Sequence, residues 1–271
     1  MNLRPEDRKH QHRNIVLDLF QSIETAKDST SEPKKVIIEF RNDIDQRLAR
    51  QVYQIPIALL KFRKNNGRIA SNIESYESEH GDIDESQESG QDIIRDFLQK
   101  KSLKDNDILK KSLMQHGQRD VAIITCDGFL INGNRRKMTL DALKDQFPND
   151  PKYSYMRAVI LPNHNSPGGP PTLIEIEQLE NRLQLMKTGK AEYEGFDAAL
   201  SIRRKLKLGI TLEEQLKDNP EHYAKTPAQL KAAVRKMEKE KVFPLESIDR
   251  YLKYFNRPGQ YSTVGDRWQS F

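Results

Sequence analysis

The sequence predicts an α+β chain, with strands and helices mixed up to residue 165 and helices alone from residue 172. Three observations predict it. Short apolar runs at 36–40, 121–124, 129–131 and 156–161 have strand lengths, and 55–60 reads as a short strand or turn. The stretch 162–171, Pro-Asn-His-Asn-Ser-Pro-Gly-Gly-Pro-Pro, is a loop that marks a domain boundary. Beyond it only helical periodicity and helix caps occur. The expected organisation is an N-terminal helix and strand extension over 1–50, a mixed domain over 51–165 and a helical region over 172–271.

Taken in order, residues 1–13 are charged and expected to fray. Ile15, Val16, Leu19, Phe20 and Ile23 follow helical spacing, so a helix is expected over 14–27, and the pattern over 43–52 fits helix or strand equally. Ile55 to Leu60 leads into a basic loop containing Asn66, Gly67 and Arg68. Residues 74–92 carry eight carboxylates and little apolar content, and are read as a mobile acidic insertion: a solvated loop, or an intramolecular mimic of phosphate. Helices are expected over 91–99 and 105–115, the second with Ile108, Leu109, Leu113 and Met114 on its apolar side and Gly117 as its C-terminal stop.

The most informative stretch is 121–143. Two apolar runs flank Asp127-Gly128, the dipeptide of a tight hairpin turn. Gly133 ends the second run, and from Asn134 the period becomes helical through Met138, Leu140 and Leu143. Arg135 and Arg136 therefore fall in the first helical turn, where the macrodipole disfavours cations. Either an anion belongs there, held by helix N–H groups and two guanidinium forks, or the pair is an ordinary solvated one.

In the helical region, apolar residues from Ile174 to Met186 and the stretch 193–208 support two helices. Thr211-Leu-Glu-Glu214 is a capping box, and Thr226-Pro227 opens a longer helix to 241, with a further helix over 244–255. Lys231, Arg235, Lys236 and Lys239 recur at three- and four-residue spacing. They are a basic stripe suited to nucleic-acid phosphates, or the salt-bridged face of an exposed helix.

Composition bounds the rest. The 271 residues are 36% hydrophobic and 31% charged, with a net charge of +5, a weak indication of a nucleic-acid partner. No apolar run approaches the ~18 residues that span a bilayer. The polar, basic N-terminus does not read as a signal peptide, which points to the cytoplasm. The single cysteine, Cys126, excludes an internal disulfide framework and a cysteine-based zinc cluster.

Several of these elements, in this order, resemble the ParB/sulfiredoxin superfamily and its ParB-like N-terminal domain. Ile55–Leu60 with Asn66-Gly67-Arg68 is similar to the first strand and arginine box. Residues 108–118, ending in Gly117-Gln118, are similar to the helix before the next strand. Gly133-Asn134-Arg135-Arg136 is similar to the phosphate box, where the family usually has Gly-Glu-Arg-Arg. Residues 177–182 are similar to the Glu-Asn segment opening the helical region, and 211–241 is helix-turn-helix-like.

The resemblance implies a small mixed sheet with helices, followed by a DNA-binding helical region. It implies an NTP, CTP or ATP, bound with Mg²⁺. Its phosphates would lie among Asn66, Arg68, Gly117, Gln118, Gly133, Asn134, Arg135, Arg136 and Asn181, with Glu177 and Glu180 as metal ligands or as the base that positions water. The same two glutamates fit a solvated helix face. DNA contact would fall to Lys231, Arg235, Lys236 and Lys239, and a homodimer is implied. The expected function is NTP binding and hydrolysis coupled to DNA in segregation, mobile-element maintenance or phage defence. The alternatives are a ParB-like nuclease and a non-enzymatic DNA-binding regulator. Asn134, standing where the family has a carboxylate, separates the first reading from the last. Cys126 lies outside the Gly-Asn-Arg-Arg box, so the cysteine chemistry of sulfiredoxin is not expected.

Overall fold

A computed structural model of the chain describes residues 10–28, 34–41, 43, 45–101, 103–185, 195–218, 222 and 225–271. It divides into two units, each built from separate stretches of sequence. A sheet unit comprises His12–Arg63 and Asp84–Pro171. A helical unit comprises Lys64–Ile83 and Thr172–Phe271, together with the segment ending at Gln11.

The sheet unit is mixed α+β, as expected. Helix α1 (Leu17–Asp28) and strands β1 (Lys34–Val36) and β2 (Arg50–Pro56) come first. Helices α2 (Ala70–His80), α3 (Glu88–Lys100) and α4 (Leu103–His116) follow, α2 belonging to the helical unit. Then come β3 (Ala122–Ile124), β4 (Leu130–Asn132), helix α5 (Asn134–Gln146) and β5 (Tyr155–Ile160). The sheet order is β1-β2-β5-β3-β4, antiparallel except for the parallel pair β3/β5. The parallel pair needs a crossover, and α5 supplies it. Ile55 sits opposite Met156, and Val159 lies between Val52 and Ile123, so one sheet row is apolar. Ile23, Ile55, Phe62, Ile94, Phe129, Leu130 and Leu143 are fully buried around it.

The hairpin at Asp127-Gly128 has a three-residue loop rather than a two-residue one. Gly128 N–H donates to Thr125 O at 3.0 Å, and Thr125 N–H to Phe129 O at 2.9 Å. That is a turn followed by a left-handed residue, and Gly128 has φ +85°. A Cβ there would stand 2.7 Å from Leu59 O, so close approach as well as conformation requires glycine.

Several expectations about the elements change or are settled. The strand at 36–40 ends at Val36. The undecided stretch 43–52 ends in strand β2, which takes Ile55, while 57–59 forms a 3-10 turn. The acidic stretch 74–92 is not a packing-free insertion, because most of it lies in α2 and α3. Ile73, Ile83 and the small or amide residues Ser71, Ser75 and Gln91 are buried there, satisfied by hydrogen bonds. Examples are Gln91 with the Phe62 backbone at 2.7 and 2.9 Å and Ser71 N–H with Asp197 at 2.9 Å. Ile108 and Met114 are exposed, and Leu113 is the buried residue of α4.

The helical unit has no strand among its described residues, as expected. Its helices after Pro171 are α6 (Leu173–Leu185), α7 (Phe196–Lys207), α8 (Leu212–Lys217), α9 (Pro227–Met237) and α10 (Phe243–Tyr254). The predicted capping box at Thr211/Glu214 forms, and Thr226, expected to cap the helix that Pro227 opens, makes a second box with Gln229. The helices at 226–241 and 244–255 are not separate. A π-helical segment, Glu238–Val242, joins α9 to α10. Pro244 cannot donate to the Glu240 carbonyl, and the wider turn ahead of it lets the helix continue. The core is Phe196, Ala199 and Leu200 against Leu245, Ile248, Leu252 and Tyr261. No helix among the described residues is long and apolar enough to cross a membrane.

Candidate phosphate-binding site

The predicted site residues fall on both units. Gly117, Gln118, Gly133, Asn134, Arg135 and Arg136 belong to the sheet unit, while Asn66, Arg68, Glu177, Glu180 and Asn181 belong to the helical unit.

In the sheet unit, Gly133 caps α5 in the left-handed conformation, φ +93°, and no side chain caps this terminus. The first N–H groups of a helix have no intrahelical partner, so they face an N-terminus that favours an anion. Arg136, in the first turn, is 8% exposed. Its Nη1 is buried without a hydrogen-bond partner and lies 3.5 Å from where a Cβ of residue 133 would stand. Burial works against its charge, Asp120 at 3.8 Å offsets part of that, and Arg157 adds to it. A buried guanidinium with an unmet donor beside a helix N-terminus that no side chain caps favours an oxyanion electrostatically.

Arg135 is differently placed. Its Nε donates to Asn106 Oδ1 at 3.0 Å, and Asp105 lies 4.0 Å away, so α4 already engages it. Asn134 is buried, with Nδ2 donating to Leu130 O and Oδ1 accepting Arg63 N–H, both at 3.4 Å. An ionised carboxylate could not make the first of these bonds. Gly117 ends α4 at φ +66° with its N–H on Leu113 O at 3.0 Å, the stop expected of it. The Gln118 amide bridges Asp120 O and the backbone of Arg157, which holds the guanidinium-bearing strand β5 against the start of β3.

Gly133 is the position where backbone and packing converge. A Cβ would stand 2.8 Å from Met156 Cε and 3.3 Å from Ala122 Cβ, at a φ that side chains rarely adopt. Gly133→Ala is expected to cost about 1–3 kcal/mol of stability, read from urea unfolding, with weakened anion binding.

In the helical unit, Asn66 is buried and caps the 3-10 turn Gly67–Ile69 through Oδ1 to Arg68 N–H, 3.1 Å. Arg68 is half-buried on that turn. Glu177, Glu180 and Asn181 share one face of α6 by their spacing. Glu177 and Glu180 are buried rather than solvated. Arg204 of α7 donates to Glu177 at 2.8 and 3.2 Å and stands 3.8 Å from Glu180, which also accepts Gly67 N–H at 3.3 Å. Lys205 Nζ donates to Asn181 Oδ1 at 2.7 Å, and burial pushes its pKa down against the pull of Glu177 and Glu180. These oxygens are neutralised by cations of the chain itself and do not fit a Mg²⁺ site. Among the described residues no group of three or more His, Cys, Asp or Glu could hold a metal. The sequence reading missed Arg204 and Lys205, whose only local signal is the basic run Arg203-Arg204-Lys205 on an otherwise amphipathic helix.

Lys231, Arg235, Lys236 and Lys239 are all exposed. Lys236 has Glu240 at 3.9 Å, while Lys231, Arg235 and Lys239 make no ion pair among the described residues.

The remaining reactive group is quiet. Cys126 is buried, and burial together with Asp127 pushes its thiol up to about 12. The folded protein is expected to resist iodoacetamide at neutral pH and to be labelled only in denaturant, as mass spectrometry would show.

Comparison with family models, with curated proteins and with solved structures yields no match.

Proposed function

We propose that this chain is a ParB-like nucleotide-binding protein that holds an NTP phosphate at Gly133–Arg136 and couples nucleotide hydrolysis to DNA contact. The observation that carries the reading is the buried Arg136 Nη1, without a partner, beside the uncapped start of α5. The helix N–H groups and Arg136 bind the phosphate, while Arg135, tethered to α4, adds charge at the rim. Gln118 positions the strand from which Arg157 reinforces the positive field. Mg²⁺ would be carried by the nucleotide's own phosphate oxygens. The exposed basic row Lys231, Arg235 and Lys239 neutralises DNA phosphates without reading bases.

A second reading is binding without turnover, by a DNA-binding regulator. It is favoured by the engagement of Glu177 and Glu180 with Arg204, which leaves neither glutamate a base for water. Calorimetric titration with CTP, ATP and GTP, with and without duplex DNA, alongside phosphate-release assays, tests both. Binding with DNA-stimulated release supports turnover, and binding without release supports the regulator. No binding of any nucleotide sinks the site. Mg²⁺-dependent plasmid cleavage without nucleotide would replace it with a nuclease.

A further inference from the structure

Helix α10 buries Leu245, Ile248 and Leu252 in the core of the helical unit. Its other side, Phe255 just past its end and Phe271 beside it carry aromatic rings that the core does not use. Tyr254 is 84% exposed, Phe243 and Phe255 54%, Tyr251 43% and Phe271 39%. Four of them form one cluster. Tyr251 lies 4.8 Å from Phe255 and 5.1 Å from Phe271, and Tyr254 lies 5.2 Å from Phe255. Phe271 also lines an open hollow of about 310 Å³ with Glu240, Lys241, Pro244 and Trp268. An exposed aromatic cluster is costly in water and marks a contact surface.

Charge selects the occupant. Arg250, Lys253 and Arg257 are exposed along the same stretch and make no ion pair among the described residues. The carboxylates on this helix are Glu246, which is exposed, and Asp249, which is held by Arg203 and Tyr261. Unpaired cations interleaved with rings are ill suited to the centre of a protein interface, where lysine is depleted. They suit a strand whose bases stack while its phosphates are neutralised.

We propose that the face of Tyr251, Tyr254, Phe255 and Phe271, with Arg250, Lys253 and Arg257, stacks the unpaired bases of single-stranded nucleic acid. The inference rests on the nucleic-acid part of the reading above and narrows it: the α9 row grips any phosphate backbone, whereas the α10 face grips only strands with free bases. Duplex DNA hides its base faces and gains nothing from the rings.

The test is fluorescence anisotropy of the full chain with labelled oligo-thymidylate and oligo-uridylate of about 12 nucleotides, and with a duplex of equal length. Tyr254→Ala combined with Phe255→Ala is expected to weaken single-strand binding roughly tenfold or more and to leave duplex binding unchanged. Tyr155→Ala, an exposed ring of β5, should change neither. Lys231→Glu with Arg235→Glu should weaken both. Unchanged single-strand affinity in the ring variant, with duplex still bound, overturns this inference alone. Binding of neither nucleic acid overturns the DNA part of the earlier reading with it. If sedimentation shows instead that the ring variant dissociates a dimer while single-strand affinity stays intact, the face belongs to a second copy of the chain. The substituted rings are exposed, and an unchanged melting curve confirms that the variant folds.

Discussion

Replacing Arg136 with methionine is expected to weaken nucleotide binding roughly 10- to 100-fold, the range of one charge-assisted hydrogen bond, while leaving the fold as stable as before or more so. The two effects have opposite signs for one reason. In the unliganded protein the guanidinium is buried, its Nη1 is unpaired, and the nearest carboxylate, on Asp120, stands 3.8 Å away. Removing it relieves desolvation, and the methionine stem retains most of the packing. In the liganded protein the same group supplies the donor that the phosphate needs. Arg135→Met should lose less affinity, because Asn106 already holds that side chain and part of its charge faces Asp105. Nucleotide titration and urea unfolding on the same samples check the pair. Reduced stability with unchanged affinity would make Arg136 a structural residue and remove the phosphate site.

Asp127→Asn is expected to cost about 3–5 kcal/mol, the usual loss when one partner of a buried ion pair is removed. Asp127 is fully buried and is the convergence point of three donors. Arg13 Nη1 and Thr125 Oγ1 each lie at 2.6 Å, and Val16 N–H lies at 3.0 Å. Arg13 lies over the Phe129 ring, 3.6 Å from its centre, so the loss would free the segment leading into α1 as well. An amide in place of the carboxylate turns one acceptor into a donor that faces donors. The double variant Arg13→Met with Asp127→Asn should recover part of the loss, since no uncompensated charge remains. A midpoint in urea within error of the unsubstituted chain would show that this anchor is not part of the stability.

How much of this was legible depended on distance along the chain. The hairpin, glycine and helix of 121–146 were readable because two periodicities and two glycines lie within one short window. The caps at Thr211 and Thr226 were readable for the same reason. Helix α2 was not, because it packs through Ala70, Ser71, Ile73 and Ser75. Small and hydroxyl side chains carry little periodic signal, and their satisfaction comes from Asp197 and Ser262, far away in sequence. Strand β2 was obscured because its buried residues, Val52 and Ile55, do not alternate. At the site, the arginine pair was visible but its division of labour was not. Each has one buried guanidinium nitrogen without a hydrogen-bond partner, but only Arg135 is tethered through Nε to Asn106, while Arg136 has Asp120 at 3.8 Å, and local pattern connects neither residue to its partner. Glu177 and Glu180 looked like accessible carboxylates because Arg204 is a tertiary partner, contributed by another helix.

The interleaving of the two units has a consequence for the order in which the chain matures on the ribosome. The sheet unit has all its residues once Pro171 has emerged, but α2 belongs to a unit whose remaining residues, Thr172–Phe271, are still to be made. At about 5–20 residues per second, that helix waits roughly 5–20 seconds with Ile69 and Ile73 lacking their final cover. Its carboxylates, Glu74, Glu77 and Glu79 among them, give the waiting segment the like charge that opposes association of exposed apolar stretches. The acidity that made this stretch read as a mobile insertion suits a helix that must wait for its partners.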